Sequence, residues 1–282
     1  MIANRPSNAV APNPELSEQP RTASESNSAW LARALGSQDS SGTIVLIGGV
    51  SLTEFRIRVA QSHARQDLLP SFWSYAALIR GNRQRGGWDL YEVSLEPPAG
   101  FGFVPANNGV QQSSFSHYDD PARYPNIACI RFTVPAQAVA ERASSFPQAL
   151  ESAVATFRKQ RSLVDLTALL IEWLGFVWGA GDKGNPLLKG LGVPSAVFLE
   201  SVFAIAGVEL TPGLASQSSC PETIWQAAKW WHEFYESEAA LTQSAPQGSY
   251  FIGQPSAAVV EGEDAVKRTS KAPGRSRRKA SR

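Results

Sequence analysis

Between Gly42 and Gly49 the chain reads Thr-Ile-Val-Leu-Ile inside flanking glycines, an unbroken apolar run of strand length. Such a run predicts a buried strand over 42–49. Ser51-Leu52-Thr53-Glu54 follows with the spacing of a capping box, so a helix is expected from there to about Gln66. Trp73 to Ile79 and Trp88 to Leu95 are strand-like, with the turn formers Gly81-Asn82 and Gly86-Gly87 between them. Ile127 to Val134 predicts a further strand. Beyond it the period changes to that of helices, over about Pro147–Gln160, Leu163–Trp178, Ala196–Ala206 and Pro221–Tyr235. Strands grouped first and helices afterwards predict an α+β domain.

The flanks carry few large apolar residues. Residues 1–28 and 243–282 are therefore expected to be disordered, leaving one domain over 29–242 without an internal repeat. A chain of 282 residues, 43% apolar and with eight Trp, can build a substantial core for such a domain. The formal charge of +1 hides a split: residues 267–282 hold eight Lys/Arg and no acid, leaving eighteen bases against twenty-five acids, a net of −7, elsewhere. An acidic body with a basic tail results. The first thirty residues have no apolar core of a secretory signal, and the most apolar run, Leu163–Ala180, is interrupted by Asp165 and Glu172. A cytoplasmic protein without a transmembrane span is expected, with export by a route lacking a signal peptide left open.

Candidate chemistry is sparse. There is no phosphate loop, dinucleotide fingerprint, zinc-protease motif or nucleophile elbow, and the two cysteines, Cys129 and Cys220, make neither a disulfide framework nor a metal cluster. No cofactor and no metal are expected. Gly48-Gly49 reads as a turn before a capped helix. His63, His117 and His232 have no metal-ligand spacing and are expected in ordinary surface or interface positions. Cys220, just before Pro221, stands at a helix start whose dipole favours a thiolate, although a small residue at a helix entrance reads the same way.

The order of segments carries more. Strand, Gly-Gly, helix and then Trp73-Ser74-Tyr75-Ala76-Ala77-Leu78-Ile79 resembles the opening of the circularly permuted NlpC-type (YiiX-like) papain superfamily, whose members typically place a catalytic His in that strand. Trp88-Asp89-Leu90-Tyr91-Glu92-Val93 resembles the adjacent strand, and Ser162-Leu163-Val164-Asp165-Leu166 the start of a following helix. The run from Ser195 through Ala206-Gly207-Val208-Glu209-Leu210-Thr211-Pro212 is similar to the helix whose first turn carries the family's Cys nucleophile. The likeness spans about Gly42 to Tyr235. It implies a papain-like fold, a small antiparallel sheet packed against a helical layer that carries the former nucleophile helix. It also implies that Tyr75 and Ser195 stand where base and nucleophile belong, with Glu92 as the third polar residue. A phenol of ordinary pKa about 10 is a poor base at neutrality, and a serine hydroxyl is far harder to deprotonate than a thiol. Structural roles remain for all three: Ser195 as a helix N-cap, Tyr75 as a core aromatic, Glu92 on the solvent side of its strand.

The expectation is therefore a catalytically degenerate papain-like protein acting as a binding or scaffold subunit, its groove open to a peptide or acyl ligand. The alternative is an amide or ester hydrolase or acyltransferase using Ser195 or Cys220 on a peptide, cell-wall or lipid substrate. A protein partner is expected on the aromatic last helix, with Trp225, Trp230, Trp231 and Tyr235 as contacts, unless those rings are core. The tail, with Arg277 and Arg278, reads either as a solvated extension or as a contact to nucleic acid, an acidic protein or an anionic surface.

Overall fold

A computed structural model describes residues 15–37, 39–84, 87–96, 107–132, 144–180, 183–235 and 245–254. The strands are β1 (Leu16–Glu18), β2 (Thr43–Gly48), β3 (Tyr75–Gln84), β4 (Gly87–Glu92), β5 (Gln111–Ser114), β6 (Asn126–Arg131) and β7 (Gln247–Ile252). The helices are α1 (Asn27–Leu35), α2 (Leu52–Ala60), α3 (Phe146–Lys159), α4 (Leu166–Val177), α5 (Pro194–Ile205), α6 (Pro221–Lys229) and α7 (Trp231–Phe234). The strands form one sheet in the order β1-β7-β6-β2-β3-β4-β5, antiparallel except for the β1/β7 pair. The expected α+β class therefore holds. No helix among the described residues is long and apolar enough to cross a membrane.

Two boundaries need correction. Residues 16–18 and 247–252, both in flanks expected to be disordered, are strands, and β7 lies inside the sheet between β1 and β6. What the flanks lack in apolar content, main-chain pairing of β7 with β6 and of β1 with β7 supplies. The remainder of both flanks lies outside the described residues. Gly81 also departs from expectation: β3 runs through it to Gln84, with a register shift after Arg80.

The sheet has two covered faces. Strand alternation and the ladder registers put Leu46, Ala76, Leu78, Tyr91, Ala128, Ile130 and Tyr250 on one of them. There α3, α5 and α6 pack: the Tyr91 hydroxyl donates to Glu151 of α3, Phe132 after β6 meets Phe203 of α5 edge-on, and Trp225 of α6 meets Tyr250 at 5.2 Å between ring centroids. Val45, Ile47, Tyr75, Ala77, Leu90, Glu92, Ile127 and Cys129 point to the other face, which α1 and the 3-10 turn Phe115–Tyr118 cover.

The Gly-Gly pair after β2 owes its composition to close approach. A Cβ on Gly48 would lie 1.9 Å from the Phe72 carbonyl oxygen, and one on Gly49 would lie 2.1 Å from the Glu54 carboxyl carbon. The capping box forms as expected, the Ser51 N–H donating to Glu54 Oε2 at 3.0 Å and the Glu54 N–H to Ser51 Oγ at 3.3 Å. Gly49 is the floor on which that folded-back carboxyl rests. Gly49→Ala is expected to cost about 3 kcal/mol in a denaturant titration, at the upper end of overpacking, while Gly184→Ala, with open space around it, should be neutral.

Candidate functional site

Tyr75 and Ser195 are each buried, at 3% and 1% exposure, and neither hydroxyl has a hydrogen-bond partner. They do not meet. Ser195 lies in the first turn of α5, on the face that carries α3 and α6, whereas Tyr75 points to the α1 face, its ring 6.3 Å from that of Tyr118. The sheet separates them. The N-cap of α5 is Val193, with Pro194 at the first helical position, so the expected capping role of Ser195 is not realised either. Burial, and after it the charge of Glu54, hold the Tyr75 phenol well above its ordinary pKa, which removes it further from base chemistry. Glu92, expected to face solvent if not catalytic, is instead buried beside Tyr75, where its Oε2 accepts from the Tyr118 hydroxyl at 2.5 Å.

Cys220 is the N-cap of α6, but burial outweighs the helix dipole and pushes its thiol up to about 12. Cys129, inside β6, is pushed up to about 11 by the same cause. The His63 Nδ1 lies 3.1 Å from the Ala60 carbonyl, and His117 sits in the 3-10 turn, where its charge bears on Glu92. Trp225 and Trp231, expected as partner contacts, are core side chains at 1% and 2% exposure, packed on Trp73 and Tyr250 and on Phe132 respectively. The last helix breaks at Trp230, whose indole N–H donates to Gln226. Trp230 and Tyr235 stay half-buried and Phe234 is exposed, so only the tip of that segment offers aromatic surface. Arg277 and Arg278 lie outside the described residues.

Sequence reasoning missed where the chain concentrates its buried polar groups. On the α1 face, at the end of β3 next to the Gly-Gly turn, Glu54, Tyr75, Glu92, Tyr118 and Tyr124 form one acid–phenol cluster. Tyr118 and Tyr124 meet edge-on with centroids 5.1 Å apart. Arg123 closes the rim, its guanidinium 5.1 Å from the Tyr124 ring centroid and paired with Glu96. Burial lifts Glu54 to about 7 against the pull of its Ser51 hydrogen bonds, and lifts Glu92 in the same direction. Glu54 Oε1 has no hydrogen-bond partner. The capping-box spacing located Glu54, but nothing local to residues 51–54 says that the cap is sealed inside the protein.

Two further buried acids are satisfied and read as braces. Glu222 accepts from Ser71 Oγ at 2.6 Å and from Gln226 Nε2, tying α6 to the segment before β3. Glu200, lifted by burial to about 7, accepts from Thr211 at 2.6 Å and Ser219 at 3.1 Å, which fastens the Leu-Thr-Pro segment to α5. Among the described residues no three His, Cys, Asp or Glu side chains are placed to hold a metal ion. Compared with protein-family models, with curated proteins and with solved structures, the chain finds no match.

Proposed function

We propose that this chain is a non-catalytic binding or scaffold subunit, in which a papain-like layout persists as an arrangement of sheet and helix rather than as an active site. The observation that carries the reading is the separation of Tyr75 and Ser195 by the sheet, each sealed from solvent. Nucleophilic catalysis needs a base within hydrogen-bond reach of the nucleophile, and Ser195 Oγ has no hydrogen-bond partner among the described residues. What supports the layout is the antiparallel centre of the sheet and α5 lying against β3 with its first turn buried; the turning of Tyr75 away from α5 departs from what the resemblance implies. The hydrolase or acyltransferase alternative loses its thiol as well, because a thiol lifted to about 12 is almost wholly protonated at neutral pH. A protein partner, a peptide or acyl ligand and an anionic contact for the basic tail belong to the same proposal.

The test is chemical labelling of the folded protein. Fluorophosphonate should leave Ser195 unmodified, and iodoacetamide should modify neither Cys129 nor Cys220 until denaturant is added, when both react. Mass spectrometry reads the outcome. Rapid labelling of Ser195 or Cys220 in the native state, lost on unfolding, would restore the enzyme reading.

A further inference from the structure

Where β2, β6 and β7 pass beneath the end of α1 they leave a small cavity of about 60 Å³. The registers set Thr43, Arg131 and Gln247 in one row across the three strands, and Val45, Cys129 and Ser249 in the row two residues along, all on the α1 face. Thr43 and Cys129 are thus diagonal neighbours, about 7–8 Å apart at Cα. Both line the cavity, and α1 closes it with Ala34 and Leu35. Thr43 is 1% exposed and Cys129 2%, so they form a sealed floor. Gln247 is exposed and Arg131 half-buried, which places the mouth on their side. Thr43 Oγ1 has no hydrogen-bond partner among the described residues. Polar atoms buried this deeply are nearly always paired, so the hydroxyl points to a small polar guest in the cavity. At about 30 Å³ per water, the space takes about two waters or one molecule little larger than water.

Cys220, at 1% exposure, is buried as deeply as Cys129 but stands outside this cavity. What separates the two thiols is access for a small molecule. We propose that Cys129 is a modification site for hydrogen peroxide, which enters the cavity, hydrogen-bonds to Thr43 Oγ1 and converts the thiol to a sulfenic acid. The sulfur lone pair attacks one peroxide oxygen, the O–O bond breaks, and the departing hydroxide takes the thiol proton and leaves as water. Sulfur gives up two electrons and the peroxide accepts them, so no other reactant is needed. Burial holds the thiol up at about 11, with the charge of Arg131 pulling the other way, so thiolate is scarce and the reaction is slow at neutral pH. The new hydroxyl occupies part of the void and gives Thr43 Oγ1 the partner it lacks. Thiol reductants are too large to follow, so the oxidised form persists until the chain unfolds. This site is additional to the binding reading and does not depend on it. Iodoacetamide is likewise too large for the cavity, so protection from alkylation and access for peroxide are separate results.

The test exposes the native full chain to millimolar hydrogen peroxide or, separately, to the bulkier tert-butyl hydroperoxide. Samples are quenched over hours, hydrogen peroxide with catalase and tert-butyl hydroperoxide by desalting, then denatured in dimedone, which traps sulfenic acid. Peptide mass spectrometry reads the adduct at each cysteine, with any sulfinic acid counted alongside. Hydrogen peroxide should oxidise Cys129 and leave Cys220 a thiol, and tert-butyl hydroperoxide should oxidise neither. Thr43→Val, which keeps the shape and removes the hydroxyl, should slow the oxidation of Cys129 about three- to tenfold, the scale of one neutral hydrogen bond. Ala34→Leu, which fills the cavity from α1, should stop it. Circular dichroism melts verify that both variants and the oxidised parent are folded. The comparison of the two peroxides needs no variant at all. If Cys129 of the parent stays reduced, if Cys220 oxidises as fast, or if the bulky peroxide works as well as the small one, the cavity is not a peroxide site.

Discussion

Ending the chain at Ala245 is expected to abolish folding, whereas ending it at Gln254 should leave the melting temperature nearly unchanged. The first truncation removes β7, and with it the ladder between β6 and β7 and, among the described residues, the only strand partner of β1. It also removes Tyr250 from beneath Trp225, leaving a fully buried indole facing a void. Loss of one large core aromatic costs about 3–5 kcal/mol by itself, and a domain of ordinary stability has only about 5–15 kcal/mol in total. A paired central strand lost on top of that exceeds the margin. The second truncation touches none of these contacts. Circular dichroism and limited proteolysis of the two products distinguish them, and a folded, protease-resistant 1–245 fragment would show that β7 is dispensable. A single substitution probes the same junction: a Cβ on Gly248 would lie 2.0 Å from the Cys129 carbonyl oxygen, so Gly248→Val should behave like the shorter truncation.

Why β7 was illegible and β2 obvious follows from where each strand's stabilisation originates. β2 is apolar throughout and buried along its whole length, so its own composition announces it. β7 reads Gln-Gly-Ser-Tyr-Phe-Ile, and β5 reads Gln-Gln-Ser-Ser. Neither carries an apolar alternation, and both are strands because β6 and β4 offer main-chain partners from distant parts of the chain. One helix start was legible for the opposite reason, since a capping box is local: Ser51 with Glu54 stands where the spacing placed it, whereas the helix expected from Leu163 starts only at Leu166, after the Asp165 cap, and Val193 rather than Ser195 caps α5. Facing was the hardest quantity. The period of two in β3 says that Tyr75 and Ala76 point oppositely, but not which of the two meets α5, because the helical layer is chosen by residues over a hundred positions away. The aromatic surplus of the last helix misled in the same manner. Trp225 and Trp231 look excessive for one helix face until Trp73, Phe132 and Tyr250 arrive to cover them.

Stability is expected to fall as pH rises from 5 to about 7.5, opposite to the usual acid lability. Glu54 and Glu200 are both lifted to about 7 by burial, against about 4.3 for an unfolded glutamate. Between those values the folded chain binds more protons than the unfolded one, so the free energy of unfolding decreases with pH. The contribution is complete below about pH 4, is lost as pH passes through 7, and then levels. Each group accounts for a loss of order 3 kcal/mol by this linkage, and Glu92 and Glu222, lifted in the same direction, add to it. Groups shifted the other way do not mask the effect: Glu25, held down to about 2 by its hydrogen bond to Arg33, and Asp67, lowered by Arg65, complete their stabilising ionisation below pH 5. Denaturant midpoints at pH 5, 6, 7 and 8 should therefore move steadily down at constant slope. Glu200→Gln keeps the oxygen that accepts from Thr211 and Ser219 while removing the ionisation, and so should take out that group's share of the pH dependence and raise stability at pH 8. Glu54→Gln should do the same for its share. Midpoints that instead climb between pH 5 and 8 would mean that both carboxylates are ionised in the folded chain, with cations already beside them.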